Sequence, residues 1–590
     1  MSHAYRISIS IAALVLTAAG CSRQPEAPSA ASPESAQTKA SDWDAFAARY
    51  IEEHFRAQPF FAVKAGRHEY DGKMPDLSAS GIAREIDRLK AARAATAGFD
   101  SKALTPEQAF ERDYLLAVLD EDLFWLDEAA FPFRNPAWYI GDLDPDIYLS
   151  TNYAPPEKRM AGYIGYAKAI PEIAANIRAN LETPLPRSFV ERAVAGFGGF
   201  AEFYRNDVPE MFAAVQDPAA QKELAQANEA AARAMTQLRD WFEAQRNDAT
   251  ETYALGPEVF QRMLLQTERV DVPLERLEAI GRADTERNYE ALKAACGKYV
   301  PDGTLRACID KMSANKPKGG PVQGARDQLA NLKAFVEQRR IVTIPSEEEA
   351  RVAEAPPYNR GNFAYINVPG PFDQGQPSTY YVAPPDPSWS PAERAGYIPG
   401  EARLLFTTVH EVWPGHFLQF LHANRNSSRI ASLWVGYAYA EGWAHYTEEM
   451  MWDTGVRDGD PEAHIGQLLA ALLRDVRFQC AIGLHARGMS LEECEKLFRE
   501  RAFADPGNAR QQAARGTYDP AYLKYTLGKL MILKLREDWR AKHPPAAPTA
   551  TATADATSPW RDFHDAFLAY GGPPIPLVRS AMLGDTSPPL

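Results

Sequence analysis

Apolar residues recur at three- and four-residue intervals along most of this chain, with charged residues on the opposite positions. WDAFAARYIEEHFRAQ, PEQAFERDYLLAVLDEDLFWLDEAA and QKELAQANEAAARAMTQLRDWFEAQ all carry this pattern, which predicts long packed helices. Prolines and glycines punctuate the pattern where turns are expected, and no internal repeat has a clear period. Residues 341–390 break the helical rule. There PYNRGNFAYINVPGPF and PSTYYVAPPDP are rich in Tyr, Phe, Val and Pro, which predicts short strands and turns. Residues 543–558, in HPPAAPTATATADATSP, are of low complexity and read as a loop between helices.

The N-terminus follows a different logic. After Arg6 comes ISISIAALVLTAA, too short to span a bilayer comfortably but long enough for the apolar core of a signal peptide. Residues 1–20 are therefore read as a signal peptide, ending in Ala-Ala-Gly before Cys21. That sequence resembles a bacterial lipobox, in which the cysteine becomes lipidated and anchors the chain to a membrane. Residues 21–42, rich in Pro, Ser and Ala, read as a flexible tether, and residues 43–590 as the folded part. Ser22 stands where an aspartate would favour inner-membrane retention. The expected address is thus the periplasmic face of the outer membrane.

Composition fits an exported enzyme. With 590 residues, 45% of them hydrophobic, the chain can bury one very large core or several smaller ones. A formal net charge of -14 argues against nucleic acid as a partner. Besides Cys21 there are four cysteines, Cys296, Cys308, Cys480 and Cys494, which allow three pairings. The sequence-local pairing suits an oxidising compartment best. None of them forms a CxxC, and no GxSxG or phosphate-binding glycine loop is present.

The strongest chemical signal is VHEVWPGHFLQ (residues 409–419). It sets Glu411 beside His410 and puts a second histidine, His416, six positions after the first. Two imidazoles and an adjacent free carboxylate are what a hydrolytic zinc site requires: the histidines hold the metal and the carboxylate accepts a proton from water. Further on, YAYAEGWAHYTEE offers Glu441 as a third ligand. The spacing is unusual, because six residues of regular helix leave two side chains about 240° apart and some 9 Å along the axis. Pro414 and Gly415 between them predict a π-bulge or a local break. The alternative is that Pro-Gly ends the helix and His416 begins another element. His445, one turn after Glu441, is a rival ligand, while His422, His54, His68, His464, His543 and His564 have no telling spacing. The strands of residues 341–390 come just before this motif and offer an edge on which a peptide substrate can pair.

These motifs carry a family resemblance. QPFFAVKAGRHEYDGKMPDLSASG (residues 58–81), HEVWPGHFLQ, EGWAHYTEE, GLHARGMS, YLKYTLGKLMILKLRED and GGPPIPLVRSAML together resemble the bacterial "domain of unknown function 885" proteins. That group is read as zinc metallopeptidases, often exported as lipoproteins, and is similar in arrangement to helical gluzincin-type peptidases. The resemblance implies a mainly α fold of two lobes around a deep cleft, with a small β-element beside the active-site helix. It implies one zinc per chain on His410, His416 and Glu441, Glu411 as general base, and short peptides as substrates. It also implies roles for Tyr525 as an oxyanion donor and His485 as a substrate or charge-stabilising residue. At His485 the chain departs from the family's Asp-Thr-Gly-Leu-His and has Ala481 where the aspartate is expected. A zinc amidase acting on cell-wall peptide, or a lipoprotein that only binds peptides or partners, are the other classes such a sequence can encode.

Overall fold

The computed structural model of the chain describes residues 33–360, 363–373, 375–544 and 558–590. The signal segment, Cys21, the first part of the tether and most of the low-complexity segment lie outside the described residues. Within them the protein is mainly α-helical with one three-stranded sheet, as the periodicity predicts. The first helix, α1 (Pro33–Ala57), starts inside the segment assigned to the tether.

Three helical groups follow, each with its own apolar core. The first joins α1 to α2 (Ala79–Ala97) and α3 (Pro106–Leu123) around Trp43, Tyr50, Phe55, Leu89 and Tyr114. The second packs α4 (Pro156–Asn180), α5 (Arg187–Asn206) and α6 (Pro218–Ala244) around Tyr163, Phe197, Phe200 and Met235. The third and largest takes in α7 (Leu274–Tyr299), α8 (Pro321–Gln338), the sheet and most of the C-terminal half. Helix starts follow the sequence closely. TPEQ and SLEE become reciprocal capping boxes at Thr105–Gln108 and Ser490–Glu493, each satisfying two backbone donors that the helix leaves unpaired.

A cavity of about 710 Å³ is lined by residues of all three cores, Phe61 and Leu89 of the first, Phe60 and Leu77 of the second, Phe131 and Ala521 of the third. Trp138, Asp142, Arg192, Tyr437, Arg515 and Lys524 also line it.

Residues 341–390 fold into the expected strands. β1 (Ala350–Glu354) runs parallel to β3 (Ser378–Val382), and β2 (Ala364–Asn367) pairs antiparallel on the other side of β3. The order β1-β3-β2 leaves β2 with an open edge. β3 is buried along its whole length, which suits its STYYV sequence.

The C-terminal half builds the frame of the site. α9 (Glu401–Glu411) packs on α8, on α11 (Tyr437–Asp453) and on α12 (Pro461–Ala486). α10 (His416–Ala423) follows α9 after a short break. Beyond them lie α13 (Leu491–Glu500), α14 (Pro506–Tyr518) and α15 (Lys524–Lys542). α11 and α15 cross at two glycines: a Cβ on Gly442 would lie 2.5 Å from Gly528 Cα, and one on Gly528 2.1 Å from the Ala438 carbonyl. Only residues without side chains allow this approach. It brings Glu441 and Tyr525, their near neighbours in sequence, to one place. The four cysteines form Cys296–Cys308 and Cys480–Cys494, the sequence-local pairs.

One charged link holds the N-terminal motif GRHEYDG to the β2–β3 loop. The His68 ring meets Asp71 through Nδ1 at 3.0 Å and Asp373 through Nε2 at 2.9 Å. Both nitrogens donate only in the protonated ring. Burial opposes that charge, but the bonds to Asp373 and Asp71 prevail and raise the pKa to about 9. The folded value lies above the ordinary 6.5, so this link contributes its full stability below that value and loses it as pH rises through about 9. Thermal unfolding followed from neutral to alkaline pH should show that loss in the native chain and not in His68→Gln. Parallel profiles for the two would contradict it.

Candidate metal centre

The site begins with how α9 ends. The helix stops at Glu411, and Val412 still bonds back to Thr408 in the normal way. The next backbone donor to return is Gly415, whose N–H reaches the Val409 carbonyl at 3.0 Å. α10 then begins at His416. A Cβ on Gly415 would lie 1.8 Å from the His410 carbonyl oxygen, so the chain can double back this tightly only at glycine. The Trp443 indole N–H, from α11, donates to the Pro414 carbonyl at 2.9 Å and holds the turn from below. Of the two outcomes the sequence left open, the helix does end and His416 does start a new one. The break is also what brings the two rings together.

The two imidazoles lie at right angles with centroids 4.7 Å apart, and both turn Nε2 toward Glu441. Glu441 Oε2 is 3.1 Å from His410 Nε2 and 3.2 Å from His416 Nε2. Among the described residues this is the one group of three or more His, Cys, Asp or Glu side chains whose ligand atoms can hold a metal ion, all within 4.8 Å of one another. Two nitrogens and one carboxylate oxygen match a hydrolytic zinc donor set.

The surroundings also fit a cation. His410 Nδ1–H donates to Glu448 at 2.7 Å, and Arg474 pairs with the same carboxylate at 2.9 Å. A carboxylate behind a ligating histidine fixes its tautomer and leaves Nε2 free to face a metal. Burial would discourage charge on His410, yet the bonds to Glu441 and Glu448 hold its pKa up at about 9. Glu441 shows the converse: burial would raise it, but His416 and His410 keep it far below the usual carboxylate range. This arrangement stabilises positive charge at its centre.

The ligand atoms open on a cavity of about 370 Å³, lined also by Glu411, Tyr525, Arg403, Arg477 and the residues of β2 from Ala364 to Ile366. The larger cavity described above holds none of the three ligands but adjoins this one at Tyr437 and Arg515, which line both.

A family model described as a bacterial protein of unknown function, DUF885, matches residues 59–582. The chain belongs to the DUF885 family. Two solved structures resemble this DUF885 chain closely in fold. One, from Shewanella oneidensis, is described as a lipoprotein of unknown function. It has a TM-score of 0.71 at 23% identity, covering 92% of this chain and 99% of that one. The other, described as a lipoprotein from Colwellia psychrerythraea, has a TM-score of 0.73 at 18% identity, covering 93% and 98%. No curated protein matches the sequence.

The other predicted site residues separate into two groups in this DUF885 fold. Glu411 is 7% exposed, faces the cavity and makes no hydrogen bond among the described residues. Burial raises its pKa, offset in part by His410 and His416, which suits a proton acceptor near neutral pH. Tyr525 lies with its ring centroid 6.1 Å from that of His410 and accepts a bond from Arg515 at 3.4 Å. His485 is elsewhere, at the far end of α12. Its Nε2–H donates to the Gly516 carbonyl at 2.7 Å, and its Nδ1 accepts from the Leu255 N–H at 3.3 Å. It lines a different cavity, and burial drops its pKa to about 4. Backbone groups orient this ring, so the lost aspartate at Ala481 has no task here.

His445 is not drawn into the ligand cluster either. It is fully buried, 3.6 Å from Glu448, with its pKa lowered to about 4 by burial and by Lys529. Sequence reasoning missed Glu448 and Arg474. Glu448 lies seven residues after Glu441, two turns along the same face of α11, and that spacing was the available signal.

Two substitutions test this construction by zinc competition titration. Glu448→Ala should weaken zinc binding about 10- to 100-fold, and Gly415→Ala should weaken it as well by forcing the turn open. Unchanged affinity in both would mean that neither the carboxylate nor the turn shapes the site.

Proposed function

We propose that this protein is an exported zinc-dependent hydrolase, a metallopeptidase that cleaves short peptides. The observation that carries the reading is the convergence of His410, His416 and Glu441 beside a free, buried Glu411 in an open cavity. A pure binding site has no need of an unpaired carboxylate one residue from a ligand. Those three side chains would hold one zinc ion per chain, and when bound it would supply positive charge beside the scissile carbonyl and acidify a neighbouring water.

The chain's own residues do the remaining work. Glu411 takes a proton from the attacking water and returns it to the departing amine. The Tyr525 phenol donates to the oxygen of the attacked carbonyl as its negative charge develops. β2 is an edge strand lining the cavity, and its free backbone groups suit an extended peptide laid alongside. His485 takes no part in this chemistry.

Export is supported by the Ala-Ala-Gly-Cys21 sequence, by two disulfides, and by the description of both structural relatives as lipoproteins. Lipid on Cys21 would anchor the protein, with Ser22 favouring the periplasmic face of the outer membrane. Among the described residues no helix is long and apolar enough to cross a bilayer.

Kinetics on a peptide mixture, followed by mass spectrometry, test the proposal. Glu411→Gln should keep its zinc and lose about 10²- to 10⁴-fold in turnover. Tyr525→Phe should lower kcat about 10²- to 10³-fold with little change in KM. Native turnover in Glu411→Gln would remove the general base and with it the mechanism.

A further inference from the structure

The cavity that holds the ligand atoms is lined by four arginines as well as by the carboxylates of Glu411, Glu441 and Asp505. Arg403, Arg474, Arg477 and Arg515 all line it. Arg474 is matched by Glu448 at 2.9 Å, and Arg515 by Asp519 at 2.9 Å. The other two are not matched. The Arg403 guanidinium, on α9, makes no hydrogen bond and no ion pair among the described residues, and Asp505 acts on it only through space. Asp505 lines the same cavity but spends its carboxylate capping α14 through the Asn508 N–H at 3.1 Å. Arg477, on α12, donates Nε–H to the neutral Gln512 at 2.8 Å and lies 4.7 Å over the Tyr525 ring. It too has no carboxylate partner. Burial and the neighbouring arginines lower the pKa of both groups, against an opposing pull from Asp505 on Arg403.

Arg477 is buried and Arg403 partly buried, and guanidinium groups withdrawn from water without a paired carboxylate are costly unless a ligand supplies the charge. A guanidinium presents a planar fork of donors that fits a carboxylate with two parallel hydrogen bonds. On a peptide that carboxylate is either the free C-terminus or an acidic side chain. Position favours the former. Arg403 precedes His410 by seven residues, about 10 Å along the axis of α9. An extended chain covers that distance in roughly three residues. β2 lines the same cavity, and a cavity of about 370 Å³ takes a short segment and not a long one.

We infer that Arg403 and Arg477 bind the C-terminal carboxylate of the substrate, so that the enzyme removes a short piece, roughly two or three residues long, from the C-terminus of a peptide. This rests on the hydrolase reading above. The scissile carbonyl then lies at His410, His416 and Glu441, and the rest of the peptide extends toward the larger cavity past Tyr437 and Arg515.

Three versions of one short synthetic peptide test it: the free acid, the C-terminal amide, and the amide with glutamate as its last residue. The free acid should be cleaved near its C-terminus with KM about tenfold or more below that of either amide. Arg403→Gln should raise KM for the acid to the amide's value and leave kcat and zinc content near native. Arg403→Lys should restore part of the preference. Equal cleavage of acid and amide, internal cleavage, or full rescue by the glutamate amide would overturn the inference. Calorimetry of the zinc-loaded Glu411→Gln protein with acid and amide reads the same preference without turnover. If the native protein cleaves nothing, the hydrolase reading fails. Tighter binding of the acid, lost in Arg403→Gln, would still uphold the carboxylate site, and equal binding would refute it.

Discussion

The site depends on the tight reversal between Glu411 and His416. Six residues of continuous helix would point His410 and His416 in different directions. The chain instead stops, turns over Pro414 and Gly415, and restarts at His416, with the Gly415 N–H closing onto Val409. Everything around the turn is built to hold it. Trp443 bonds its outer carbonyl, the two glycines of the α11–α15 crossing bring Glu441 up beneath it, and Glu448 fixes the His410 ring from behind. A side chain at Gly415 has no room, so the residue is needed for this close approach.

The electrostatic design follows from that geometry. Carboxylates lie behind and between the imidazoles, and they favour positive charge at the centre. Arginines also line the cavity wall, with Arg403 about 10 Å from His410 along α9, and they favour negative charge there. A peptide bond under hydrolysis has both needs in that order: a cation beside the carbonyl, then an anion-binding surface for a terminal carboxylate. The wider cavity past Tyr437 and Arg515 gives the remaining chain somewhere to lie.

Much of this was legible in the sequence, because its signals are local. Helical periodicity, the strand-rich segment before α9 and the sequence-local disulfides depend on residues close together in the chain. His410, Glu411, His416 and Glu441 were readable because their chemistry is specific. The role suggested for His485 came from family likeness alone, and here backbone groups from residues 255 and 516 occupy its ring. Arg403, Arg474 and Arg477 looked like ordinary helix-surface charges in sequence. Only the packing of α9 against α12 turns them inward to one cavity. The same holds for the Gly442–Gly528 contact, whose partners lie on separate helices and carry no pattern that links them.

The central claim is that the broken helix makes a zinc site from His410, His416 and Glu441. Metal analysis of the purified mature protein beside His416→Ala tests it most directly. The account predicts about one zinc per chain in the native protein and its loss in the variant, with the fold intact by circular dichroism. A native protein that takes up no zinc after reconstitution, or a variant that keeps it, would contradict the account.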